Sequence, residues 1–134
     1  MSAISDATPP DRLPQLEELA RAADLCLKPR LHAVRLLQPP PGDQPLDCTF
    51  RLEARNGEGE RLPEFDLELE IFQSGRNVNL MLSWVSDPEA PILWHGSHPV
   101  WMEGESGVRC PKPDAGGALE ALGRRLLALL GSGG

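Results

Sequence analysis

Residues 94–101 hold more of the side chains that can do chemistry than any other stretch of the chain. They read Trp94-His95-Gly96-Ser97-His98-Pro99-Val100-Trp101. On a regular strand His95 and His98 would lie on opposite faces, so they could not bind one metal ion together. If Gly96 and Ser97 are instead the two-residue turn of a hairpin, the two histidines become cross-strand neighbours and could share an ion.

A zinc site at these histidines would need further ligands. His32 and Cys110 could supply them if the fold delivers them, but no Cys-x2-Cys or His-Glu-x-x-His spacing occurs in the sequence. The interpretation that we favour is structural: Trp94 and Trp101 fill the end of the core, and the histidines bond backbone groups at a sheet edge. We therefore predict no metal site.

Signatures of catalysis and of nucleotide binding are absent from the sequence. Ser97 follows a glycine but lacks the Gly-x-Ser-x-Gly pattern of a nucleophile elbow, and no Gly-x-Gly-x-x-Gly motif follows a strand. For acid–base work, the nearest candidates are His95 or His98 with Glu103 or Glu105, but spacing alone does not bring them together. We predict no catalytic residue and no cofactor, and we lean towards a protein that is not an enzyme.

Charge and cysteine content narrow the classes of partner. The 134 residues include 13 basic and 20 acidic side chains, a net charge of -7 that repels nucleic acids and anionic membranes. Three widely spaced cysteines among apolar neighbours are typical of reduced thiols. No stretch approaches the ~20 apolar residues that span a bilayer. We expect a soluble cytoplasmic protein that binds neither nucleic acid nor membrane.

The middle of the chain alternates apolar and polar residues, which predicts half-buried β-strands in an antiparallel meander. About five strands are expected. The solvated faces of the second and third are complementary and should form cross-strand ion pairs, with Thr49, Arg51, Glu53 and Arg55 on one strand and Asp66, Glu68 and Glu70 on the other. The alternative is a substrate site built from these three carboxylates, but alternating carboxylates on a strand are usually its solvated face. The predicted strands cover residues 31–37, 47–55, 64–72, 77–85 and 92–94.

Apolar residues at helical spacing predict one helix after Pro14 that ends before Pro29, and a second, amphipathic helix from Ala118 to Leu130. The fold class is therefore α+β, with both helices packed on the meander. We predict a flexible tail over residues 1–12, a single domain over residues 13–131 and a second flexible tail over residues 132–134.

The strand at residues 77–85 presents an uncharged second face, with Asn77, Asn79, Met81 and Ser83. The centres of protein interfaces are depleted of charge, so we expect this face to bind a protein partner unless the C-terminal helix covers it. The tryptophan-bearing edge of the sheet is the other candidate surface. A second copy of the chain is a further candidate partner, because a meander leaves an exposed edge. The predicted binding residues are Arg76, Asn77, Asn79, Trp84, Trp94, His95, His98 and Trp101.

The function expected from these features is non-catalytic, that of a binding, assembly or adaptor protein. The alternative is a small-molecule-binding domain or a small enzyme, in which the curved sheet wraps a helix into a pocket lined by Trp84, Trp94 and Trp101. An enclosed cavity beside these tryptophans would favour the alternative.

Overall fold

The protein folds into a six-stranded antiparallel sheet with two helices on one of its faces. The computed structural model describes residues 16–38, 48–74, 77–114 and 116–131. Both predicted tails, residues 1–12 and 132–134, lie outside the described residues. In chain order the elements are α1 (Leu16–Cys26), β1 (Leu31–Gln38), β2 (Cys48–Arg55), a 3-10 turn (Pro63–Phe65), β3 (Leu67–Ser74), β4 (Asn77–Trp84), β5 (Ile92–His95), β6 (Pro99–Met102) and α2 (Gly116–Gly131).

The sheet is a simple meander in which each strand pairs with the next along the chain. The α+β class, the antiparallel meander and the two packed helices confirm the prediction, but there are six strands where about five were expected. The additional strand is β6, because the segment around Gly96 turns back on itself instead of continuing. The β5–β6 register pairs Trp94 with Val100 and His95 with Pro99.

One face of the sheet and the inner sides of both helices form a single hydrophobic core. Every second residue of β2, β3 and β4 points into it, because side chains alternate between the two faces of a strand. Leu19 of α1 and Leu122 of α2 are fully buried against these strands. None of the described helices is long and apolar enough to cross a membrane.

Asp66 departs from the predicted solvated face. Its carboxylate is buried, accepts a 2.8 Å hydrogen bond from the backbone N–H of Ala54 and a second, 2.5 Å bond from the guanidinium of Arg61. The 3-10 turn interrupts the β2–β3 ladder at this point, and the Asp66 side chain supplies the acceptor that a backbone carbonyl would otherwise provide. Its role is therefore structural, and the ion-paired surface begins at Glu68.

The connection between β2 and β3 is organised by Asn56. Its side-chain carbonyl accepts hydrogen bonds from the N–H groups of Glu58 and Glu60 at 2.9 and 3.0 Å. Gly59 has a φ of 87°, a conformation that favours glycine. These bonds order the turn that follows β2.

Candidate functional site

The face of the sheet opposite the helices, which we call the open face, is divided into a charged and an apolar half. On β1–β3 it carries ion pairs: Arg35 lies 3.1 Å from Glu53, and Arg51 lies 4.0 Å from Glu68. These cross-strand pairs agree in kind with the pattern expected from the sequence. The side chains of Arg51 and Glu68 are each about one-third exposed, and such a pair contributes little to stability. Glu53 is buried, and its contacts with Arg35 and Arg55 offset the loss of hydration of its carboxylate.

The apolar half is centred on a cluster that we call the open-face patch, formed by Glu70, Phe72, Asn79, Met81 and Trp94. The strand register places Glu70, Met81 and Trp94 in one row across β3, β4 and β5. The rings of Phe72 and Trp94 stack with centroids 5.7 Å apart and an interplanar angle of 28°. All five side chains are half-buried, although both described helices lie on the other face.

The turn after β5 fits closely against this patch. A Cβ atom on Gly96 would overlap the Oδ1 atom of Asn79 and would lie 3.7 Å from Nε1 of Trp94. The absence of a Cβ at Gly96 therefore lets the Asn79 side chain approach the turn, whereas the distance to Trp94 is an ordinary van der Waals contact. Asn77, Asn79, Gly96 and Ser97 also line a surface recess of about 220 Å³ at this end of the patch.

Glu70 sits where the charged and apolar halves of the open face meet. Partial burial raises the pKa of its carboxyl, and the nearby charge of Glu68 raises it further. Among the described residues no basic group lies within ion-pair distance of Glu70, whereas Glu68 faces Arg51. The Glu70 carboxylate is thus positioned to gain from a cation supplied by a partner.

The predicted binding residues separate into two groups that face opposite ways. Asn77, Asn79 and Trp94 come together on the open face, as the uncharged pattern of β4 suggested. Trp101 is buried in the core and its indole N–H donates a 2.7 Å hydrogen bond to Glu120 of α2. Trp84 also packs against the core, so the three tryptophans do not line one cavity.

The two histidines of the turn segment lie in different environments. His95 is buried beneath α2, so close to it that a Cβ atom added to Gly123 would lie 3.1 Å from the imidazole ring. The Nδ1 atom of His95 donates a 3.1 Å hydrogen bond to the carbonyl of Gly96. His98 is exposed in the turn. Arg76, the remaining predicted residue, lies outside the described residues. No group of three or more metal-ligating side chains occurs within the described part of the chain.

Sequence reasoning missed Phe72 as a member of the site, and it considered Glu70 only as one of a row of carboxylates with Asp66 and Glu68. Strand alternation places both on the same face as Glu68, and the charge pattern alone made Glu70 look like one more solvated carboxylate. The informative signal was the change from Glu70 to Phe72 along one face of β3, because it marks where the charged half ends.

Comparisons with known proteins give a family. The family model described as Domain of unknown function (DUF8659) matches residues 16–129, which span both helices and all six strands. No match was found among curated proteins or among solved structures.

Proposed function

The chain belongs to this family, whose description assigns no function, and from the geometry we propose that it is a non-catalytic binding protein that holds a protein partner on its open-face patch. The observation that carries the proposal is the stacked pair of Phe72 and Trp94 beside Met81 on the helix-free face. Tryptophan is enriched among residues that dominate binding energy, and interface centres are poor in charge.

The chemistry of the patch specifies the kind of segment that would bind. An apolar side chain of the partner would contact Trp94 and Met81, and a neighbouring lysine or arginine would contact Glu70. Such a cation would offset the repulsion between Glu70 and Glu68, which already raises the pKa of Glu70. The partner segment is therefore apolar and basic, complementary to the net charge of -7 of this chain.

A displayed random-peptide library tests this proposal directly. We expect selection on the native protein to enrich peptides that carry an aromatic or aliphatic residue next to lysine or arginine. Trp94→Ala should weaken their binding by tenfold or more, roughly the effect of losing one interface anchor, and Glu70→Gln should weaken it less. Binding is measured by isothermal titration calorimetry.

The matched control is Val108→Ala, which truncates an exposed apolar residue outside the patch, on the segment that folds back along β6. Its affinity for the selected peptides should equal that of the native protein. Peptides that bind Trp94→Ala as tightly as the native protein would refute the patch as the binding site.

The alternative function, a small-molecule pocket or enzyme between sheet and helices, has less support. The space in which that pocket was expected is filled by fully buried side chains, including Leu82, Leu93 and Leu122. Trp94 lies on the opposite face from Trp84 and Trp101. A second copy of the chain as partner is supported by a different surface, the outer edge of β1.

A further inference from the structure

The two edges of the sheet are protected very differently. At β6 the chain folds back on itself: the N–H of Cys110 donates to the carbonyl of Trp101 at 2.9 Å, and Arg109 forms a bridge with Met102. At β1 no described segment bonds to the side that faces away from β2. An eight-residue strand whose outer backbone groups have no partner among the described residues is a template for another strand.

The side chains of β1 add to this exposure. Leu36 and Leu37 lie where the β1–β2 register becomes irregular, and each is 38% exposed. Leu31 at the other end is 44% exposed. The strand has no proline or lysine, and its one charged residue, Arg35, is paired with Glu53 of its own sheet. Of the usual devices that block strand pairing, β1 carries an irregularity in its register at Leu37, which leaves residues 31–36 as a regular edge.

We propose that β1 pairs antiparallel with β1 of a second copy of this chain, about a twofold axis at Val34, to give a continuous twelve-stranded sheet. This register pairs residues 32–36 of the two copies and brings Leu31 level with the partner's Leu37, the residue at the irregularity, so that exposed leucines lie near each other at both ends. It also sets Arg35 opposite the partner's Ala33, which avoids the repulsion of two facing arginines. A twofold axis makes such an interface self-complementary.

The size of the interface sets its strength. The contact consists of one strand pair and a few leucines, so we expect a reversible equilibrium and not an obligate dimer. The dimer would leave both open-face patches uncovered, because the pairing uses only the edge. This inference is therefore independent of the proposed partner-binding function.

Sedimentation equilibrium of the native protein over a range of concentrations is the first test, and we expect a reversible monomer–dimer equilibrium. Leu37→Lys places a charge opposite the partner's Leu31 and should raise the dissociation constant by about tenfold or more. The matched control is Leu129→Lys on α2, because Leu129 is 37% exposed, close to the 38% of Leu37. This variant should dimerise as the native protein does.

Cysteine substitution tests the register. In the proposed pairing Val34→Cys lies opposite its own copy, and mild oxidation should give a 34–34 disulfide that peptide mass spectrometry identifies. Leu36→Cys lies two residues from the axis, roughly 13 Å from its copy at the usual rise per residue, and should not cross-link.

Three results would overturn the inference. They are a monomer at every concentration, a dimer that Leu37→Lys leaves intact, and a 36–36 cross-link in place of 34–34. In a monomer, slow hydrogen exchange along the outer edge of β1 would show that another segment of the same chain occupies the edge.

Discussion

Phe72 and Trp94 stack at 5.7 Å on the open face, although they belong to strands that are separated by β4. The pair bridges over β4 and is adjacent to Met81 of that strand. Because the stack lies outside the core, its contribution to stability and its contribution to binding can be separated by mutation.

The tryptophans on the two faces should respond differently to truncation. Trp101→Ala leaves a cavity in the core and removes the bond to Glu120, so we expect a loss of about 3–5 kcal/mol in the free energy of unfolding. Trp94→Ala should remove only the stacking with Phe72, about 0.5–1.5 kcal/mol, in addition to the free energy lost by exposing the apolar area that Trp94 covers. Urea denaturation followed by circular dichroism measures both. Equal losses would show that Trp94 is a core residue.

The buried carboxylate of Asp66 should be essential to the β2–β3 junction. Asp66→Ala leaves the N–H of Ala54 without its acceptor and Arg61 without its partner, and we expect a loss of about 1–3 kcal/mol in unfolding free energy. Glu58→Ala, at an exposed position in the preceding turn, serves as the control for removing one negative charge. A loss at Asp66 no larger than at Glu58 would contradict the structural role.

Two glycines should differ sharply in their tolerance of alanine. A Cβ on Gly104 would overlap the carbonyl oxygen of Pro88 and lie 2.9 Å from that of Ala90, and backbone cannot move aside cheaply. Gly104→Ala should therefore cost about 1–3 kcal/mol. A Cβ on Gly57 meets nothing within 4 Å, so Gly57→Ala should be neutral or slightly stabilising. Thermal melts of both variants decide the comparison.

The buried histidine of β1 should make stability depend on pH. The His32 side chain is inaccessible to solvent and its Nδ1 donates to Asp24 at 3.0 Å. Burial lowers the pKa of His32 below its ordinary value of 6.5, and the neighbouring charge of Arg30 lowers it further, against the opposing effects of Asp24 and Asp66. Protons therefore bind the unfolded chain first as the pH falls.

The free energy of unfolding should in consequence decrease as the pH falls through 6.5 towards the lowered pKa of His32, by at most about 1.4 kcal/mol per pH unit. His32→Gln should flatten this part of the profile. Denaturation midpoints at intervals between pH 8 and pH 5 measure it. A native profile with the same slope as that of His32→Gln would assign the effect to other groups.

The sequence by itself determined the elements and their order. Alternation fixed the first five strands to within a few residues, apolar periodicity fixed both helices, and short connections made the meander the natural topology. Arg51 and Glu68 were expected to pair across β2 and β3, and they do. These features depend on near neighbours along the chain or on adjacent strands, which is why local pattern is sufficient to predict them.

Only the tertiary structure decided which side of each strand is covered. Alternation says that Trp94 and His95 face opposite ways, but the position of α2 decides that His95 is buried and that Trp94 faces outwards. The turn at Gly96 created the sixth strand, and the 3-10 turn drew Asp66 inwards. The burial of His95 beneath α2 depends on contacts between residues far apart in sequence, which no local periodicity encodes. The turn at Gly96 is local, but the sequence left a regular strand and a hairpin open there, and the pairing of β5 with β6 decided between them.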